Sequence, residues 1–149
     1  MGKYTYIILL SVVMALAACS VETDNVDDVE GMWHLTKIET IDSETGTTIT
    51  ENVSDKMIFW SFQHHLLVME YKEGGAAAVL YKTEVKDKKV ALTNPRVDDR
   101  ENGDPAIESL EPLVPYSIDT LEPVLTIVSA KSSKLVLSTD VRKYYFKKF

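Results

Sequence analysis

From Gly31 onward, apolar residues recur mainly at every second position, the period of a strand with one face buried and one solvated. Trp33 and Leu35 share such a face, and Ile38 falls out of phase, which predicts a bulge or sharp bend. Ser43-Glu44-Thr45-Gly46 is a turn cluster and Thr47 to Thr50 is β-branched throughout. Met57 to Tyr71 carries Ile58, Trp60, Phe62, His64, Leu66 and Val68 on its even positions and a mixed set on its odd ones. One long bent strand, or two strands joined near Gln63–His65, fits that run. Gly74-Gly75 then signals a hairpin, and Val79, Tyr81 and Val85 alternate with Lys82, Glu84 and Lys86. After a turn at Lys86–Lys89 come Val90 and Leu92, and later Leu125–Val128, Leu135–Leu137 and Tyr144–Phe146, with turns at Lys131-Ser132-Ser133 and Asp140-Val141. About eight short strands joined mostly by tight turns predict an all-β antiparallel barrel or sandwich.

One stretch breaks the pattern. All five prolines (Pro95, Pro105, Pro112, Pro115, Pro123) and eight acidic residues lie between Asn94 and Pro123. Proline is excluded from central strands, so the stretch reads as a connection rather than sheet. Asp104-Pro105 supplies an N-cap and first-turn pair for a short helix ending near Glu111. A connection of this length is a lid or binding loop, or else disordered. Ile107, Leu110, Leu113 and Val114 give it an apolar side to pack down, which favours a lid.

The amino-terminal segment is of another kind. After the single charge of Lys3, Tyr4 to Ala18 is almost wholly apolar, yet its 15 residues fall short of the roughly 20 that a spanning helix needs. It ends Leu16-Ala17-Ala18-Cys19, and Cys19 is the only cysteine in the chain. This resembles a bacterial lipobox, which implies cleavage between Ala18 and Cys19 and acylation of Cys19. Several acyl chains hold a protein in a bilayer where one alone is marginal. An ordinary signal peptide cut after Ala15-Leu16-Ala17 is the alternative. Residues 1–18 are therefore read as a cleaved signal, 19–30 as an acidic tether and 31–149 as the folded domain. The tether, Ser20 to Glu30, has five acidic residues and no base, too polar to order itself. Ser20 directly after the cysteine resembles lipoproteins sent to the outer membrane, and the acidic run resembles surface-export signals of Bacteroides-type lipoproteins; a plain charged spacer explains it equally.

Without residues 1–18 the chain has 15 basic and 23 acidic residues, a net charge of −8. That excludes nucleic acid as the expected partner, since its phosphates are neutralised by Lys and Arg. It also argues against a basic patch docking on anionic lipid. The six bases and one acid of the C-terminal quarter read as a solvated rim.

A family resemblance rests on Gly31 and Trp33, a Gly-x-Trp opening the first strand. To it add Trp60-Ser61-Phe62-Gln63, the strand Ser133 to Leu137 and the ending Tyr145 to Phe149. With the lipobox, these resemble the lipocalin-like lipoproteins of Bacteroides-type bacteria. The resemblance implies an up-and-down barrel of about eight strands and no catalytic residues.

The chemistry is sparse. His64 and His65 are adjacent, so in a strand they point to opposite faces and do not chelate together; His64 reads as a hydrogen-bonded histidine on the inner face. No metal site and no cofactor are expected. Neither a G-x-S-x-G elbow nor a phosphate-cradling glycine loop is present, and Asp98-Asp99 sits among Arg96 and Arg100, so no enzyme is expected. Trp33, Trp60, Phe62 and Tyr81 remain as candidates to line an inner cavity. The leading expectation is an outer-membrane, lipid-anchored module binding a small apolar or amphipathic ligand. The alternative is a solid barrel that engages another envelope protein, for instance as a protease inhibitor. A third reading has Tyr116 binding glycan.

Overall fold

A computed structural model describes residues 28–149. The signal segment, Cys19 and most of the tether lie outside these residues. The described chain forms a closed antiparallel barrel of eight strands with a ninth strand appended.

Strand β1 (Gly31–Ile41) is shared along its length. Its first half pairs with β3 (Ile58–Gln63) and its second half with the short β2 (Thr48–Asn52), while β9 (Arg142–Lys148) runs along its other edge and closes the ring. All five residues of β2 are exposed, so it projects beyond the core, and Val53 fills the space it leaves, donating its N–H to the Thr36 carbonyl oxygen at 2.9 Å. The phase slip at Ile38 is a bulge, with the β1–β9 register shifting between Leu35 and Lys37. It returns Ile38 to the inner face after Trp33 and Leu35.

The run from Met57 to Tyr71 is two strands. β3 and β4 (Leu66–Tyr71) pair Gln63 with Leu66 across a two-residue turn in which His64 takes φ 55°. Such a turn reverses the parity of inward positions. Ile58, Trp60 and Phe62 face inward on β3, but Leu67 and Met69 do so on β4, leaving Leu66 and Val68 outside. His64 is thereby placed in an exposed turn, not on the inner face as its even position suggested.

β5 (Val79–Lys86) and β6 (Lys89–Val97) follow, joined at Asp87-Lys88, where both residues have positive φ, as tight hairpin turns require. β6 continues through Pro95, past the limit set for it by sequence. The register jumps between Leu80 and Lys82, and Asn94 takes φ 54°, the signature of a bulge. Pro95 is buried there and has no N–H to leave unpaired. Nor does Asp104-Pro105 start a helix. Val97 donates its N–H to the Pro105 carbonyl oxygen at 3.0 Å and Ile107 to that of Pro95 at 2.9 Å, drawing the segment onto β6 as an extended bridge. Helical turns of 3₁₀ type occur instead at Arg100–Asn102 and Glu111–Tyr116. β7 (Val124–Ala130), β8 (Lys134–Ser138) and β9 then complete the meander.

Because the strands alternate in direction, the barrel has two distinct ends. The β3–β4, β5–β6 and β7–β8 turns share one end with the start of β1 and the finish of β9. The β1–β2 turn, the β4–β5 loop, the connection from 98 to 123 and the β8–β9 turn share the other. Among the described residues no helix is long and apolar enough to cross a membrane.

Candidate functional site

The interior is apolar from end to end, and Thr83 is the buried polar residue among the described ones. All four aromatic residues singled out from the sequence face it. Trp33 and Trp60 are cross-strand partners on β1 and β3, and Phe62, Leu67 and Tyr81 lie abreast on β3, β4 and β5. None of the four is more than 3 % exposed.

Each is held differently. Trp33 closes the end where the chain enters, donating its indole N–H to the Val29 carbonyl oxygen at 2.8 Å, with the Lys148 ammonium over its ring at 4.3 Å. Val29 is itself 1 % exposed, so the fold takes in a residue assigned to the tether. Tyr81 reaches toward the opposite end and donates its hydroxyl to the Leu121 carbonyl oxygen at 3.0 Å. Trp60 lies between the two ends, with ring centroids 5.4 Å from Tyr144, 5.1 Å from Phe146 and 6.4 Å from Phe62. Its Nε1 is buried and finds no acceptor among the described residues. A buried donor left unpaired is costly, about 1–3 kcal/mol, so its presence in the middle of the barrel calls for a partner.

Tyr144 and Phe146 were not among the candidates, although their i, i+2 spacing on a terminal strand is the same signal that marked Trp60 and Phe62. Tyr116 was singled out as a surface residue for glycan, but it is fully buried. That reading fails because the connection packs down across the barrel end, carrying Ile107, Leu113, Tyr116 and Ile118 into the core, while Leu110 and Val114, expected on the packed side, are exposed. This segment forms a strap. Tyr116 donates its hydroxyl to the Ala77 carbonyl oxygen at 2.8 Å. The Ser117 carbonyl oxygen accepts from the Tyr144 hydroxyl at 2.7 Å and from the Arg142 guanidinium at 2.6 Å, while Arg142 also pairs with Asp119 at 3.2 Å. Ser117 can present that oxygen because it ends the 3₁₀ turn with φ 58°.

Burial raises all three of these phenols. Tyr116 and Tyr144 are each pushed up to about 12, the latter despite the opposing pull of Arg142, and Tyr81 rises further. They remain neutral hydrogen-bond donors in ordinary buffers. Among the described residues no three His, Cys, Asp or Glu side chains gather as a metal site. Among the described residues the interior holds no charged side chain.

Outside the barrel, a groove of about 460 Å³ lies between the wall of β3 to β6 and the segment carrying Asp98, Arg100 and Asp104, with Leu66, Val68 and Leu80 on its floor.

Residues 14–149 match the lipocalin-like domain family. The chain belongs to that family. A lipocalin-like protein from Bacteroides uniformis ATCC 8492 is similar in structure, with TM-score 0.56 and 18 % identity over 82 % of this chain and 99 % of that one. An uncharacterized protein from Bacteroides eggerthii DSM 20697 is similar at TM-score 0.54 and 20 % identity, over 80 % and 98 %. At such identities the likeness speaks to the fold. No curated protein matches the chain in sequence. The lipocalin-like family is generally non-enzymatic.

Proposed function

We propose that this lipocalin-like protein is a lipid-anchored module of the bacterial cell envelope that binds one small, largely apolar molecule inside its barrel. The observation that carries the binding is the Trp60 indole N–H, buried in an aromatic interior without an acceptor. A guest with an apolar body and one hydrogen-bond acceptor answers both features. The strap is the gate: from Leu110 to Leu121, beyond the bridge to β6, hydroxyl hydrogen bonds and packing hold it in place of strand pairing. Support for the anchor is the Leu16-Ala17-Ala18-Cys19 pattern, and Ser20 directly after it favours the outer membrane.

Native mass spectrometry of protein extracted from its own membrane tests the binding directly. A co-purified molecule lost in the Trp60→Phe variant supports it. Uniformly ligand-free protein that takes up no fatty-acid probe, such as dansyl-undecanoic acid, refutes it.

A second reading is favoured by the contact of Trp60 with Tyr144 and Phe146, ring against ring. If those side chains fill the interior, the barrel is solid and acts through its surface on another envelope protein, for instance as a protease inhibitor. The outer groove floored by Leu66, Val68 and Leu80 is then the surface of interest. A pull-down that survives Trp60→Phe but not Leu80→Asp separates this reading from the first.

A further inference from the structure

The barrel is electrically polarised along its axis. Among the described residues, and taking each turn with the strand residues that flank it, the end holding the start of β1 carries Lys86, Lys88, Lys89, Lys131, Lys134 and Lys148 against Asp28, Glu30 and Asp87. Lys147 sits one residue further along β9, and His64 and His65 occupy the β3–β4 turn of the same end. The opposite end carries twelve acidic residues, eight of them between Asp98 and Glu122, against Lys72, Arg100 and Arg142. A net charge of −8 conceals this division, because the antiparallel meander sends alternate turns to opposite ends.

The basic end is one continuous surface. Lys148 donates its backbone N–H to the Ser133 carbonyl oxygen at 2.9 Å and its ammonium to that of Glu30 at 2.7 Å, joining the C-terminal strand, the β7–β8 turn and the entering chain. Ile127 donates its N–H to the Lys88 carbonyl oxygen at 2.8 Å, bringing in the β5–β6 turn. The six rim lysines are exposed, and so are Phe149, at 74 %, and Leu66, at 51 %. Exposed apolar side chains beside lysines are what a membrane interface receives, the rings entering the headgroup layer while the ammonium groups meet phosphates.

Resting on the lipid-anchor reading, we infer that this rim seats on an anionic phospholipid surface, so that the barrel stands upright with its acidic strap end outward. Ten residues separate Cys19 from Glu30, a span of at most about 40 Å, enough to let the rim touch the bilayer and short enough to keep it near. Anionic headgroups then select the orientation. The strap, and with it the proposed gate, faces away from the membrane.

The test uses the full lipidated protein on vesicles of phosphatidylcholine alone or mixed with phosphatidylglycerol, with amine-reactive labelling read lysine by lysine by mass spectrometry. On the anionic vesicles Lys86, Lys89, Lys131, Lys134 and Lys147 label about fivefold more slowly than on neutral ones, while Lys56 and Lys72 are unchanged. High salt abolishes the difference. Lys131→Glu with Lys134→Glu weakens the protection of the remaining rim lysines. Equal ratios for rim and distal lysines, or rim protection that is the same on neutral vesicles because the acidic tether covers it, overturns the inference. Flotation of the vesicles reads the anchor separately: protein that fails to float refutes both, whereas floating protein with uniform labelling refutes the orientation alone.

Discussion

Replacing Trp60 by phenylalanine tests the binding reading most sharply, because the physical effects have opposite signs. Shortening the side chain removes about three heavy atoms from a fully buried position, a loss of about 2 kcal/mol at roughly 0.8 kcal/mol per methylene. In an empty barrel the same substitution removes an unpaired buried donor and recovers about 1–3 kcal/mol. The two nearly cancel, so ligand-stripped Trp60→Phe melts within a few degrees of wild type. In a loaded barrel the indole N–H is already satisfied. Nothing is recovered and a hydrogen bond of about 1 kcal/mol is lost as well, so the deficit reaches about 3 kcal/mol, or roughly 10 °C in a domain of this size. Affinity for a carbonyl-bearing apolar probe falls about tenfold. Thermal unfolding by circular dichroism, on protein before and after stripping in denaturant, measures both quantities. A variant that loses as much stability stripped as loaded would show that no guest ever met the indole, and the solid-core reading would stand.

Other outcomes follow from the same geometry. Tyr144→Phe removes one of two donors to the Ser117 carbonyl oxygen, so strap amides exchange about fivefold faster while the β-ladder amides hold; unchanged exchange would show that the strap is fixed by packing alone. Gly31→Ala places a methyl group at φ +123°, against the Lys148 ammonium, and lowers stability by about 1–3 kcal/mol in denaturant titration. Alkaline pH acts through Tyr116 and Tyr144, whose phenols ionise near 10 when unfolded and at about 12 when folded. Their contribution is intact below pH about 10 and is lost as pH climbs toward 12, at up to about 1.4 kcal/mol per tyrosine per unit; phenolate absorbance should rise together with loss of circular dichroism, not before it. Cys19→Ala releases the protein from the membrane fraction, and unchanged partition on fractionation refutes the anchor.

Much of the fold was legible because one barrel face is buried and period-two alternation records it. Trp33, Trp60, Phe62 and Tyr81 were picked out on that ground and all face inward. The same rule misled at His64, because alternation counts positions along the chain and a two-residue turn exchanges odd for even. It also missed Pro95, since a bulge restores a phase that no windowed pattern contains. Asp104-Pro105 has helix-starting chemistry, but the unpaired edge of β6 competed for the backbone that follows and won. Trp33 holds Val29 through a hydrogen bond only four residues back, but the acidic neighbours of that valine disguised it as tether. The unpartnered indole N–H of Trp60 is a property of what surrounds it in space, and no linear signal foretells it. The charge division escaped for a related reason: a sum has no direction.

Joining β1 to β9 has a further consequence for biogenesis. Leu35 must find Phe146, a partner more than a hundred residues away, before the barrel closes. Until the final strand has been made, the nascent chain carries two open backbone edges, and premature folding leaves nothing that can shut. Any truncation that removes β9 should therefore yield aggregates rather than a smaller barrel.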